Sequence, residues 1–77
     1  METITKLIAR VLRLPEGKVV DSLHMRETET WDSLKHMELI VAIEQACQIE
    51  LTGDEIADMV SVGAIREALA KRGIAWS

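Results

Sequence analysis

Three polar residues near the middle of the chain have the residue types and the spacing of a hydrolytic serine site. On a helix, Asp32, Ser33 and His36 would lie within one turn of each other. In such a set the imidazole accepts the proton of the serine hydroxyl, and the carboxylate orients the imidazole. The surroundings oppose this chemistry, because the helical period directs His36 into the core and no glycine-rich segment beside Ser33 supplies oxyanion donors. A chain of 77 residues is also too short to enclose a deep substrate pocket.

The single cysteine offers no better chemistry. Cys47 follows His36 by eleven residues, which is roughly 16 Å along a helix at 1.5 Å per residue, so the two cannot form a catalytic pair. One cysteine and two histidines match no zinc-binding spacing, and no internal disulfide is possible. We therefore expect Cys47 to be a small buried apolar residue, with no metal site, in a cytoplasmic protein.

The first part of the chain predicts one helix and a long loop. Apolar residues at helical spacing predict helix one over about 3–13, which Pro15 ends. The segment 15–31 has no sustained period and is predicted to be a loop without its own structure. Its isolated apolar residues are expected to anchor it to the core, and they are Val19, Val20, Leu23 and Met25.

The second part of the chain predicts three more helices. Helix two runs from 34 to 47, with either Asp32 or Ser33 as its cap. A Thr-x-x-Glu capping box that begins at Thr52 opens a short helix at about 53–59. The fourth helix begins after Ser61 and ends at a left-handed Gly73, and a loose tail follows over 74–77. The predicted fold class is all-α, a four-helix bundle with a short third helix, in a single domain over 1–77.

Composition narrows the possible partners. Nine lysines and arginines against thirteen acidic residues give a net charge of −4, which opposes binding to nucleic acid and to anionic membranes. The longest apolar run is the five residues Leu39 to Ile43, so neither membrane insertion nor a targeting segment is predicted. We expect a monomer whose partners carry basic patches.

Helix two has two apolar faces. The expected core stripe consists of His36, Leu39, Ile40, Ile43 and Cys47. Almost opposite lie Leu34 and Val41, with Met37 at the margin, on a face that a small bundle should leave exposed. A small apolar patch rimmed by charge is typical of a docking surface. The alternative is that Leu34 and Val41 pack under the long loop.

Position alone favours a structural role for Ser33, since serines before apolar helices are commonly caps. That role is compatible with modification, because the positive end of a helix dipole is a favourable place for a phosphate.

The whole pattern has a family likeness. The segment from Trp31 to Gln45, Trp-Asp-Ser-Leu-Lys-His-Met-Glu-Leu-Ile-Val-Ala-Ile-Glu-Gln, resembles helix two of the acyl carrier protein family, including its Asp-Ser-Leu motif. The likeness continues through Ile49-Glu50-Leu51, Ile56-Ala57-Asp58-Met59 and Ser61-Val62, and so covers nearly the entire chain.

The resemblance implies that Ser33 receives 4′-phosphopantetheine from coenzyme A through a phosphopantetheinyl transferase, with Asp32 near the metal during transfer. The terminal thiol then carries acyl groups as thioesters to acyl-loading, synthase or transferase enzymes, and the protein is a carrier rather than an enzyme. The residues expected in partner docking are Leu34, Lys35, Met37, Glu38, Val41 and Ile56.

The Asp-Ser-Leu motif occurs twice, and the context distinguishes the two copies. Asp21-Ser22-Leu23 is followed by a segment without an apolar helical period, whereas Asp32-Ser33-Leu34 opens the longest helix. Ser22 is therefore not expected to be the attachment residue.

The sequence differs from the usual fatty-acid carrier pattern in three places, and these differences lower the negative charge of helix two. Trp31 replaces a small residue, Lys35 an acidic residue, and Gln45-Ala46-Cys47 an acidic pair followed by an aromatic. A specialised stand-alone carrier is therefore predicted, in fatty-acid, polyketide or other biosynthesis. An aminoacyl or peptidyl carrier and an unmodified helical interaction module are the alternatives.

Overall fold

A computed structural model of the chain describes residues 3–74, which contain four α-helices. The helices are α1 (Ile4–Leu12), α2 (Ser33–Cys47), α3 (Gly53–Asp58) and α4 (Val62–Lys71). The predicted all-α four-helix bundle is confirmed, and the predicted limits of the first three helices differ from these by at most one residue at either end. The tail predicted to be loose lies, beyond Ile74, outside the described residues.

Local signals set the helix ends. The Thr52 hydroxyl accepts the Glu55 N–H at 3.1 Å while the Glu55 carboxylate accepts the Thr52 N–H at 3.0 Å, so the predicted capping box is present. The Ser61 hydroxyl accepts the N–H of Ala64 at 3.1 Å, as a cap of α4 should. Beyond α4, Gly73 has a φ of 75°, the left-handed conformation that its sequence position predicts.

The capping carboxylate of α3 also forms an ion pair with Arg72, which follows α4. Hydrogen bonds from Arg72 and from the Thr52 backbone lower the pKa of Glu55 from 4.5 to about 2. Because the folded state binds this proton less readily than the unfolded state, the pair stabilises the fold above about pH 4.5, and this contribution is lost as the pH falls towards 2.

Glu55→Gln should therefore be less stable than the parent at neutral pH, and the difference should shrink as the pH falls from 4.5 to 2. Glutamine preserves the capping box, so the variant isolates the charge. Melting temperatures measured across this range by circular dichroism provide the test. Arg72→Gln removes the same pair and should show the same pH dependence; a gap between parent and Glu55→Gln that stays constant with pH would contradict the assignment.

The core lies between the faces of α1, α2 and α4. Its fully buried side chains are Ile8, Leu12, Trp31, Leu39, Ile40, Ile43, Met59, Val62, Ile65 and Leu69. Trp31 is the largest of them and is only 1% exposed, although it precedes α2 by two residues. Burial of Trp31 in the core therefore fixes the position of the chain just before α2.

The loop between α1 and α2 has more structure than predicted. Two short 3₁₀ helices, Glu16–Lys18 and Met25–Glu27, satisfy local backbone groups. The loop also pairs with the chain before α4, since the Met25 N–H donates to the Val60 carbonyl at 2.8 Å and the Val62 N–H donates to the Leu23 carbonyl at 3.0 Å. These bonds hold the loop against the bundle at the end where α2 begins.

Two burial predictions need correction. Val20 was expected to anchor the loop, but it is 50% exposed, because the 3₁₀ turn directs its neighbour Val19 into the core instead. Cys47 was expected to be buried and is only partly so, because it is the last residue of α2 and lies at the edge of the core. Leu23 and Met25 are partly buried against the core.

Residues 3–74 contain no helix with the length and apolar character needed to cross a membrane.

Candidate functional site

Ser33 is the first residue of α2, and Asp32 is its cap. The Asp32 carboxylate accepts the N–H of Lys35 at 2.8 Å, a bond typically worth about 1 kcal/mol. Of the two capping residues that the sequence allowed, the structure thus selects Asp32. Within the described part of the chain the hydroxyl of Ser33 makes no hydrogen bond, and the side chain is exposed. Ser33 is therefore free to be modified without breaking an internal contact.

The first turn of α2 can also receive an anion. The Asp32 side chain and carbonyl accept the N–H groups of Lys35 and His36, the latter at 2.8 Å. In residues 3–74, the N–H groups of Ser33 and Leu34 have no partner. Unpaired N–H groups at the positive end of a helix dipole suit a phosphate, so a phosphodiester on Ser33 fits this position.

A buried hydrogen-bond chain lies directly beneath the start of α2. The Trp31 indole N–H donates to Nδ1 of His36 at 3.0 Å. Because an indole nitrogen can only donate, Nδ1 must be the acceptor and Nε2 must carry the proton. That Nε2 donates to the carbonyl of Ile56 at 2.9 Å. Trp31 and His36 thus connect the first turn of α2 to the backbone of α3.

The hydrogen bonds of His36 exclude it as a base for Ser33. The prediction that His36 points into the core is confirmed, since it is 7% exposed. Both ring nitrogens are engaged, one by an indole and one by a carbonyl, so neither can accept the serine proton. A hydrolytic set made of Asp32, Ser33 and His36 is not assembled.

The other candidate groups do not supply catalytic chemistry either. Partial burial raises the pKa of the Cys47 thiol, which makes it a poorer nucleophile and metal ligand. No cluster of histidine, cysteine and carboxylate side chains within residues 3–74 is suited to hold a metal ion.

The outer face of α2 carries three exposed apolar residues. Leu34 is 70% exposed, Met37 49% and Val41 47%, so they do not pack under the long loop. They line a shallow groove of about 450 Å³ beside α1, together with the side chains of Val11 and Glu38. We call Leu34, Met37 and Val41 the outer face. The helical period of α2 predicts that these three side chains are exposed, and the structure confirms it.

The remaining predicted docking residues lie in different surroundings. Lys35 is half-buried and forms an ion pair with Glu38 at 3.0 Å, so it neutralises a carboxylate beside the outer face. Ile56 lies on α3, is partly buried against the core and does not line the groove. The structure brings five of the six predicted docking residues together on α2 and leaves Ile56 apart.

The second Asp-Ser-Leu copy has a different setting. Asp21 forms an ion pair with Arg66 at 2.9 Å, and its carbonyl accepts the N–H of Gly63 at 3.0 Å. Ser22 follows in a turn rather than at the start of a helix, and Leu23 is partly buried where Leu34 is exposed. The Asp21 copy thus secures the loop to α4.

The sequence did not identify Trp31 as a core residue or as the partner of His36. It singled Trp31 out only as unusual before the motif. The usable signal was the histidine on the core stripe, since a buried imidazole needs partners for both nitrogens and Trp31 is a nearby apolar side chain that carries an N–H donor.

Comparison with known proteins shows the family of the chain. The family described as "Phosphopantetheine attachment site" matches residues 2–69. The acyl carrier protein of Buchnera aphidicola subsp. Baizongia pistaciae (strain Bp) is 37% identical over 68 residues, which cover 88% of this chain and 87% of that protein. The chain therefore belongs to the acyl carrier protein family, and it is a phosphopantetheine-bearing carrier protein rather than an enzyme.

Proposed function

We propose that Ser33 is the attachment residue and that the bound group carries acyl intermediates for a specialised biosynthetic pathway. The observation that supports this most strongly is the exposed, unengaged hydroxyl of Ser33 at the first position of α2, with Asp32 already satisfying the cap. When bound, phosphopantetheine supplies the thiol that holds an acyl group as a thioester. Within residues 3–74 no base contacts the Ser33 hydroxyl, so a phosphopantetheinyl transferase must activate it.

The residues around Ser33 have distinct roles in this proposal. Asp32 fixes the start of α2 and lies next to the place where a metal-bound coenzyme A would approach during transfer. The N–H groups of Ser33 and Leu34 can donate to the phosphodiester that forms. Trp31 and His36 hold the first turn of α2 in position.

The outer face and its charges are proposed to select partner enzymes. Helix α2 carries one lysine against two glutamates, and the Lys35–Glu38 pair reduces the negative charge near Ser33. Such a surface suits weak, reversible contacts in which a small apolar patch gives affinity and a few charges set orientation. We propose that the transferase and the acyl-loading, synthase or transferase enzymes dock on this face, and that Ile56 on α3 adds to it.

We also propose that the carrier is monomeric and cytoplasmic. Three large apolar side chains are exposed on α2, a small set for the stable interfaces that bury roughly 800 Å² per partner. A single unpaired cysteine agrees with a reducing compartment.

The cargo can be identified on protein isolated from its native cells. Intact masses measured before and after hydroxylamine, which cleaves thioesters, should differ by the mass of an acyl group, while the phosphopantetheine remains. A difference that matches an amino acid would assign the protein to the aminoacyl carriers instead. A mass equal to the bare polypeptide in both measurements would contradict the carrier role.

Val41→Glu tests the outer face. Because Val41 is 47% exposed, the substitution should change the free energy of unfolding by less than about 0.5 kcal/mol. It should lower the kcat/KM of the phosphopantetheinyl transferase by roughly 5- to 30-fold, as expected when a charge enters an apolar contact worth about 1–2 kcal/mol.

Val20→Glu is the matched control, since Val20 has a similar exposure of 50% but lies in the loop. Val20→Glu should leave the free energy of unfolding and the kcat/KM of the transferase unchanged. Equal losses of kcat/KM in the two variants would show that the outer face is not part of the docking surface.

A further inference from the structure

Trp31 lies between Ser33 and the apolar core. A cleft of about 540 Å³ opens beside Ser33, and Arg26, Asp32 and Ala57 are among the residues that line it. Trp31 also lines this cleft, yet it belongs to the core cluster and is only 1% exposed. The indole therefore separates the surroundings of Ser33 from the interior of the bundle.

Two hydrogen bonds from side chains of α2 fasten it to the segment that contains α3. Near the start of α2, Nε2 of His36 donates to the Ile56 carbonyl at 2.9 Å. Nearer its end, the Glu44 carboxylate accepts the N–H of Leu51 at 2.9 Å. We call the boundary that these two bonds hold the seam. An alkyl chain would pass through the seam only if α3 moved away from α2, which would break at least one of these bonds.

The bond from His36 to α3 is one half of the buried hydrogen-bond chain. The Trp31 indole N–H donates to the other ring nitrogen of His36 at 3.0 Å, so a single imidazole holds both the indole and α3. In the described part of the chain, every buried side-chain nitrogen and oxygen has a hydrogen-bond partner. Opening the seam at His36 would leave the imidazole and the Ile56 carbonyl without theirs, which is unfavourable for buried groups.

The core beside the seam is filled by aliphatic side chains. Ile40 and Ile43 follow His36 along α2, and Met59 directly follows α3; none of the three is more than 1% exposed. Protein interiors are packed about as densely as organic crystals. An alkyl chain that entered here would therefore have to displace these side chains as well as break the bond from His36.

We propose that the cargo of this carrier stays outside the helical bundle and is a short or polar acyl group, because Trp31 and His36 keep the seam closed. The proposal rests on attachment at Ser33. A short or polar group is readily left in water, whereas every exposed methylene of a long alkyl chain is unfavourable there. Trp31 and His36 are positioning residues in this respect, since they act on the choice of cargo by holding the indole and α3 in place.

Melting temperatures of two loaded forms test the proposal. The apo protein is incubated with Mg²⁺, a broad-specificity phosphopantetheinyl transferase and either acetyl- or octanoyl-coenzyme A, and intact mass confirms the added acyl-phosphopantetheine. The two forms should melt within about 1 °C of each other, since neither acyl group is buried. Burial of even one or two additional methylenes would raise the melting temperature of the octanoyl form by roughly 5 °C or more.

Nuclear Overhauser effects on the octanoyl form locate the chain directly. The protein carries ¹³C at its methionine methyl groups, of which Met59 is buried beside the seam and Met37 lies on the outer face. The octanoyl protons should show no cross-peak to Met59, whose signal a Met59→Leu variant identifies, and a cross-peak to Met37 would support a chain outside the bundle. A cross-peak to Met59, or an octanoyl form that melts roughly 5 °C or more above the acetyl form, would overturn the proposal.

Trp31→Ala tests whether the indole keeps the chain out. An apolar cavity in a core accepts an apolar ligand, so the octanoyl chain should enter the space that the indole leaves. The octanoyl form of Trp31→Ala should therefore melt roughly 5 °C or more above its own acetyl form. Comparing two loaded forms of one variant cancels the stability that the substitution itself removes, and Trp31→Leu gives the same comparison with a smaller loss.

Ile8→Ala is the matched control, because Ile8 is also fully buried but lies on α1 rather than at the seam. Its octanoyl and acetyl forms should melt together, as those of the parent do. An equal difference between the two loaded forms in Ile8→Ala and Trp31→Ala would contradict the role assigned to Trp31.

The outcomes separate this proposal from the assignment of Ser33. A protein loaded on Ser33 whose octanoyl chain contacts Met59 would overturn the exclusion of cargo from the bundle and leave the attachment residue untouched. A protein that gains no acyl-phosphopantetheine would overturn the attachment at Ser33 and, with it, this proposal.

Discussion

Replacing His36 by leucine should lower the free energy of unfolding by about 2–3 kcal/mol. Leucine has a similar size but provides neither an acceptor for the Trp31 indole N–H nor a donor for the Ile56 carbonyl. The indole would be left buried and unpaired, and leaving such a group unsatisfied costs about 1–3 kcal/mol. For a chain of this size the loss corresponds to about 10–20 °C in melting temperature. Urea titration followed by circular dichroism measures it directly.

The second histidine is the matched control. His24 is only half-buried and accepts one backbone N–H from Arg26, so His24→Leu should cost about 0.5–1 kcal/mol. His36→Gln should recover part of the loss, because the glutamine amide can both accept and donate. Equal destabilisation by His24→Leu and His36→Leu would show that the buried hydrogen bonds of His36 add no particular stability to the fold.

Replacing Ser33 by alanine should abolish transfer of phosphopantetheine from coenzyme A. The effect is all-or-none because the hydroxyl oxygen that forms the new phosphodiester is absent. The fold should survive, since the Ser33 hydroxyl has no partner in residues 3–74 and Asp32 still caps α2. Intact mass after incubation with coenzyme A, Mg²⁺ and a broad-specificity phosphopantetheinyl transferase measures the outcome.

Ser22→Ala is the corresponding control in the second Asp-Ser-Leu copy. It should gain the full mass of one phosphopantetheine group, as the parent does. If Ser22→Ala lost labelling while Ser33→Ala kept it, the roles assigned to the two copies would be reversed.

The helix limits and the exposure of the outer face were predictable because they depend on neighbouring residues. Thr52 with Glu55, and Ser61 with Ala64, form their caps within one turn, so the sequence alone is enough to place them. The exposure of Leu34 and Val41 likewise follows from the helical period of α2.

The missed features depend on contacts between segments distant in the sequence. The loop between α1 and α2 is held where Met25 and Leu23 form backbone hydrogen bonds with Val60 and Val62, more than thirty residues along the chain. The cleft beside Ser33 joins Arg26 to Ala57, which no local period connects. Local sequence patterns were therefore enough to propose Ser33 and to predict the exposed outer face, but not the cavity beside Ser33 or the buried hydrogen bonds of Trp31 and His36.

Peptide mapping tests the central assignment most directly. Trypsin cuts after Lys18, Arg26 and Lys35, so Ser22 and Ser33 fall on separate peptides, 19–26 and 27–35. In protein modified by coenzyme A and a transferase, we predict phosphopantetheine on the 27–35 peptide, with fragment ions placing it on Ser33. Phosphopantetheine on the 19–26 peptide, or on a threonine of 27–35, would contradict the account.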